Sequence, residues 1–148
     1  MRLLLDTNIL TRSVQPAHHM HANAVDAISI LTTAQDELCV VPQNLVEFGA
    51  VATRPLSANG LEMPTTQAGV ELARIKSFFR YIPDTPSMYD EWERLVARYD
   101  VSGKNSYARI AAAMIVHGLT HLLTFNVPDF KRYPGITAVW PTEVIQGR

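Results

Sequence analysis

Residues 3–10 read Leu3-Leu4-Leu5-Asp6-Thr7-Asn8-Ile9-Leu10. A short, unbroken apolar run is the mark of a strand buried on both faces of a parallel sheet, and residues 2–5 are read as that strand. Asp6 ends it. A buried carboxylate with no partner is expensive, so its placement needs a reason. Taken alone, Asp6 reads as the first of three good capping residues, with Thr7 and Asn8, where a turn or helix begins.

Working outward, apolar strands alternate with helical patterns. Residues 16–33 carry Ala24, Ala27, Ile28 and Leu31 on one helical face. Leu38–Val41 is a second buried strand, and Pro42 suits the first turn of a helix running to about Thr53. Residues 54–64 are rich in Pro, Gly and Asn and read as a loop. A helix is expected from about Thr65, a short edge strand and turn in residues 81–86, and an amphipathic helix through Met88, Trp92, Leu95, Val96 and Tyr99. Residues 105–118 are apolar nearly all round and end in Gly118, as a buried helix with a Gly stop does. Residues 121–125 and 136–140 close the series as strands, the last ended by Pro141. The pattern predicts an α/β fold of one domain over 1–148, a central, mostly parallel sheet between two layers of helices.

The totals narrow the function classes. The chain has 148 residues, 47% of them hydrophobic and 18% charged, with a formal net charge of −1, so it is globular and has no bulk basic character. A nucleic-acid substrate would have to be held by a local patch. The single cysteine, Cys39, lies among apolar neighbours and reads as a buried strand residue. No apolar run is long enough to span a membrane, and Asp6 interrupts the N-terminal run, so the expected location is the cytoplasm.

In parallel α/β sheets, ligands bind beyond the carboxyl ends of the strands. Three segments would meet there: Asp6, the helix bearing Glu47, and residues 124–130 with Asn126 and Asp129. Singly, each has a plainer reading. Glu47 could lie on a solvated face beside Asn44 and Arg54, and Asn126 and Asp129 could shape a turn around Pro128. Brought together, carboxylates repel and raise each other's pKa values unless a cation offsets them. Hard oxygen donors suit Mg2+ or Mn2+, and such an ion activates water and stabilises charge on a phosphodiester.

Three stretches together, "LLLDTNIL", "VPQNLVEFGAVATRPLSANGL" and "SGK…ARIAAAM…HGLTHLLTFNVPDFKRYPGI", resemble a PIN domain of the VapC-like toxin type over nearly the whole chain and in the expected order. The resemblance implies a PIN-like three-layer sandwich. It also implies a metal-dependent ribonuclease toxin that a cognate small antitoxin silences, acting as a homodimer. Asp6 and Glu47 would then be acidic metal-site residues, Asn126 would stand where the family has Asp or Asn, and Asp129 would lie nearby.

One position departs from the pattern. The family places an Asp immediately before the Ala-Arg pair, but Tyr107 precedes Ala108 and Arg109, and no acid lies between Asp100 and Asp129. Either Tyr107 replaces the Asp, or the Asp is missing and Tyr107 stands one place before it. The second keeps the length of residues 103–107 and is preferred. The departure leaves a non-catalytic module that holds RNA or antitoxin as the competing function. A phosphohydrolase with Asp6 as nucleophile would need a second Asp two residues on, where Asn8 stands.

The remaining candidates read as structural. His18, His19 and His21 have no Cys or acid at matching spacing and are expected at the surface. His117 and His121 flank a helix end. Lys104, Arg109, Lys131 and Arg132 are candidate phosphate contacts or solvated charges. Trp92 and Trp140 are expected in the core.

Overall fold

The structure, a computed structural model, describes residues 1–147. Its strands are β1 (Arg2–Leu5), β2 (Glu37–Val40), β3 (Arg80–Tyr81), β4 (His121–Leu123) and β5 (Thr137–Val139). Its helices are α1 (Thr7–Ser13), α2 (His21–Thr33), α3 (Pro42–Thr53), α4 (Thr65–Phe78), α5 (Met88–Arg98), α6 (Asn105–Val116) and α7 (Pro141–Gln146). The strands form one sheet in the order β3-β2-β1-β4-β5, and every pairing is parallel. Among the described residues the sheet is thus wholly parallel rather than mostly so.

The leucine run decides the layers because side chains alternate along a strand. Leu3 and Leu5 belong to a core with Ile9, Leu10, Ala27, Leu31, Phe48 and Ile75, from α1, α2, α3 and α4. Leu4 points the other way, into a core with Leu95 of α5 and Ile110, Ala111 and Met114 of α6. With α7, whose Val144 joins the first core, five of the described helices cover one face and α5 and α6 cover the other. The chain builds β2 and β3 on one side of β1, then crosses behind the sheet through α5 and α6 to build β4 and β5 on the other side. The gap between the carboxyl ends of β1 and β4 is the point where strand order reverses, where such folds bind ligands.

Three local features differ from the sequence expectation. Helix α2 begins at His21, not Pro16, because His18 Nδ1 accepts from the Met20 N–H at 3.0 Å and His21 Nδ1 sits 2.9 Å from the Arg12 carbonyl, which folds residues 16–20 into turns. Pro141 does more than end a strand: it occupies the first turn of α7, whose Val144 joins the core of Leu3 and Leu5. The tryptophans are not core residues. Trp140 is exposed, and Trp92 is half-buried at the edge of the α5–α6 layer, its indole N–H 3.4 Å from the Asn105 carbonyl. Cys39 is fully buried and free, as expected. Among the described residues, no helix is long and apolar enough to cross a membrane.

Candidate active site

Asp6 leaves β1 as the N-cap of α1. Its Oδ1 accepts from the Thr7 N–H at 2.8 Å, and its Oδ2 accepts from the Thr124 hydroxyl at 2.7 Å and the Asn8 amide at 3.4 Å. Both the capping role and the site role are therefore carried by one side chain. Thr124 is the residue directly after β4, fully buried, and its hydroxyl also accepts from the Asn126 N–H at 2.9 Å. Asn8 completes the link, its Oδ1 accepting from the Phe125 N–H at 3.2 Å. These bonds tie the end of β1 to the end of β4 and fix the Asp6 carboxylate in place.

Glu47 reaches the same hollow from α3. It lies one turn beyond Gln43, whose amide donates to Glu47 Oε1 at 2.6 Å. Asn44, beside which the plainer reading set Glu47 on a solvated face, is fully buried. Its Oδ1 accepts from the Val41 N–H at 2.9 Å, capping α3, while its amide approaches the Thr7 hydroxyl at 3.5 Å. That anchor aims Glu47 toward Asp6. The hollow holds about 290 Å³ and is lined by Asp6, Glu47, Tyr107 and Asn126, with Arg12 and Arg54 also in its wall.

Tyr107 lies where α6 meets the hollow. Helix α6 runs unbroken through it, and the phenol itself lines the hollow, accepting from the Asn126 amide at 3.3 Å. Its ring packs edge-on against buried Phe130, centroids 5.3 Å apart. Tyr107 thus faces the cleft from the first turn of α6, together with Ser106. Asp129 is not among the residues lining the hollow, but it lies beside it, close enough to the Tyr107 hydroxyl and to Asp6 to raise the pKa of both. It is paired with Lys104 at 2.7 Å on the rim. Of the basic residues read as phosphate contacts or solvated charges, Lys104 pairs with Asp129, Arg109 lies 4.0 Å from Asp84, and Lys131 and Arg132 are exposed. Arg12 and Arg54 are the cations that line the hollow. Thr124, Asn8 and Asn44 were hard to see in sequence because a buried Thr or Asn looks like any turn former until its partners are known.

Burial raises the Asp6 carboxyl above the ordinary range, opposed by the Thr124 and Thr7 hydrogen bonds and assisted by the charge of Asp129. Burial also raises Glu47, opposed by the Gln43 bond and assisted by Asp6. Burial, Asp129 and Asp6 raise the Tyr107 phenol, keeping it neutral. Both carboxyls therefore bind protons more readily in the folded chain than in the unfolded one. Stability from this source is full below the ordinary carboxylate pKa and is lost as pH rises through the raised folded values. Glu47→Gln removes one of the two charges and keeps an oxygen for Gln43. It is expected to raise metal-free stability at pH 7 by about 0.5–1 kcal/mol, the gain vanishing below about pH 4. Urea unfolding at both pH values reads this, and an unchanged or lower midpoint at pH 7 would show that the two carboxyls do not strain the fold.

The donor set suits a hard divalent cation. Mg2+ is commonly held by one or two carboxylates with waters and substrate phosphates filling the remaining positions, and two carboxylates facing one cleft meet that need. Among the described residues, no group of three or more His, Cys, Asp or Glu could hold a metal ion. A closed zinc site is therefore not built among them.

A model of the PIN domain matches residues 3–136. No curated protein sequence matches the chain. Among solved structures, VapBC2 from Rickettsia felis, bound to a DNA fragment from its promoter, superposes with a TM-score of 0.72 at 17% identity, covering 95% of this chain and 98% of that one. VapC20 from Mycobacterium tuberculosis, described as a sarcin-ricin-loop-cleaving toxin, gives 0.64 at 16% identity, covering 87% and 93%. A toxin–antitoxin complex from Klebsiella pneumoniae gives 0.62 at 23% identity, covering 94% and 97%. At these identities the structures speak for the fold. The family model spans most of the chain, and its boundaries enclose β1 with Asp6, α3 with Glu47 and β4 with the turn that follows it: the chain belongs to the PIN domain family.

Proposed function

We propose that the chain is the ribonuclease toxin of a toxin–antitoxin pair, cutting RNA phosphodiester bonds with Mg2+ or Mn2+ held by Asp6 and Glu47, at a rate kept low by Tyr107. The supporting observation is the convergence of two carboxylates on one cleft at the strand-order reversal, with Arg12 and Arg54 in its wall. When bound, the ion would supply an activated water and charge stabilisation at the phosphate. The chain's own residues do the positioning. Thr124 and the Thr7 N–H orient the Asp6 carboxylate, Tyr107 orients Asn126, and Arg12 and Arg54 are placed to meet the phosphates of a strand crossing the cleft.

Tyr107 also favours a second reading, a module that binds RNA or antitoxin without cutting, because a neutral phenol replaces the acid the family pattern expects. Incubating purified chain with RNA in Mn2+ and in EDTA separates the two. Slow cleavage confined to Mn2+ supports the first reading, and RNA binding with no cleavage supports the second. The likeness to toxin–antitoxin complexes and the exposure of Phe78, Val70 and Val25 support a homodimer that binds a small antitoxin. A monomer at micromolar concentration in light scattering, alone and with the neighbouring gene product, would count against that part.

A further inference from the structure

We propose that a groove beside the cleft, between the start of α5 and the first turns of α6, takes an unpaired base of the RNA strand next to the phosphate being cut; this rests on the ribonuclease reading above. The groove holds about 430 Å³ and is lined by Asp84, Pro86, Met88, Tyr89, Trp92 and Arg109. Its walls are mainly apolar and aromatic. Tyr89 is 62% exposed although it is a large ring, and its centroid lies 5.6 Å from that of Trp92. Trp92 is fixed by its bond to the Asn105 carbonyl, and the Tyr89 hydroxyl is turned outward to Glu93 at 3.3 Å. The ring edges that need polar partners have them, and the remaining apolar surface faces the groove.

The first two turns of α6 form the wall between the two hollows. Ser106 and Tyr107 face the acidic cleft, while the Asn105 carbonyl holds Trp92 and Arg109 faces the groove. Arg109 stands two residues beyond Tyr107 on the same helix. Its tie to Asp84 is loose, at 4.0 Å, and both side chains are exposed. A guanidinium between an aromatic groove and an acidic cleft complements a chain that alternates bases with phosphates. A base can stack on the Tyr89–Trp92 surface while the adjoining phosphate meets Arg109 and the next enters the cleft. An apolar protein segment would gain nothing from that charge. Asp84, Pro86 and the loop they sit on follow β3, so the groove lies on the same carboxyl edge of the sheet as the cleft.

The test is binding in EDTA, where cleavage does not intervene. A dye-labelled single-stranded oligoribonucleotide of mixed sequence and its abasic counterpart are titrated with the full chain. Tyr89→Ala is expected to weaken binding of the base-bearing strand by about tenfold and leave the abasic strand unchanged. Tyr89→Phe keeps the ring and should bind as the parent does. Arg54→Ala, in the cleft wall, should weaken both strands. If Arg54→Ala weakens binding but Tyr89→Ala does not, the groove is not a base site and the proposal falls while the ribonuclease reading stands. If Tyr89→Ala instead dissociates a dimer with RNA affinity intact, the groove is a protein contact and the proposal falls. If the parent binds neither strand, the proposal and the ribonuclease reading fall together. Because Tyr89 is exposed, both variants should keep the parent's circular dichroism.

Discussion

Tyr107→Asp is expected to tighten Mn2+ binding by about thirtyfold and to raise RNA cleavage at subsaturating metal by a similar factor. The phenol lines the cleft with Asp6 and Glu47, so a carboxylate at this position would face the same space. At an effective dielectric of about 20, a carboxylate about 4 Å from a unit positive charge is worth about 4 kcal/mol before desolvation. Retaining half of that corresponds to the thirtyfold gain. The metal-free variant should be less stable than the parent. It brings a third negative charge to a pair already raised by burial, and it loses the ring contact with Phe130 and the hydrogen bond from Asn126. Melting with and without Mn2+ should therefore show a lower metal-free midpoint and a larger metal-induced rise. Inserting an Asp between Tyr107 and Ala108 should not reproduce the gain, because one extra residue rotates the first turn of α6 by about 100° relative to the buried Ala108–Met114 stretch. If the insertion restores cutting and the substitution does not, Tyr107 is a neighbour of the missing acid and the placement argued here is wrong.

Asp6→Asn should abolish the Mn2+-induced rise in melting temperature and reduce RNA cleavage by about a hundredfold or more. The substitution preserves shape, so its effect isolates charge. It still disturbs the local network. One oxygen can continue to cap the Thr7 N–H, but the new amide nitrogen would face the Thr124 hydroxyl and the Asn8 amide, both of which now donate to Asp6. A donor facing donors costs about 1–3 kcal/mol, offset in part by removing a buried charge whose pKa burial has raised. The net change in metal-free stability should stay within about 2 kcal/mol, leaving a folded protein on which the metal effect can be read. A variant that keeps a parent-sized Mn2+ shift would place the ion, if any, away from Asp6.

The layers were legible because the leucine run is short, continuous and followed at once by capping residues. A strand that must be apolar on both faces leaves few architectures, and the alternation of Leu3 and Leu5 against Leu4 carries directly into two cores. The helix starts at α2 and α7 were less legible, since they depend on a hydrogen bond from the Met20 N–H to His18 and on tertiary packing of Val144 rather than on periodicity. Asp6 and Glu47 could be picked out because each is an acid in an apolar setting, Asp6 directly after β1 and Glu47 on the helix that follows β2. Asp129 carried the same signal, and it stands beside the cleft between Lys104, 25 residues away, and the Tyr107 hydroxyl, partners that no local pattern reveals. Tyr107 was visible as a departure, but its orientation was not: a residue in the first turn of a helix can face any direction until the helix is docked. Arg12 and Arg54 were passed over for the same reason, each being an ordinary helix-end cation until α1 and α3 meet at the cleft.

The most direct measurement is anomalous diffraction from crystals of the parent chain grown in Mn2+. A peak in direct or water-bridged reach of both the Asp6 and Glu47 carboxylates is expected. A clear map at saturating Mn2+ with no peak in that cleft, or with its peaks elsewhere on the molecule, would contradict the metal site on which the ribonuclease reading depends.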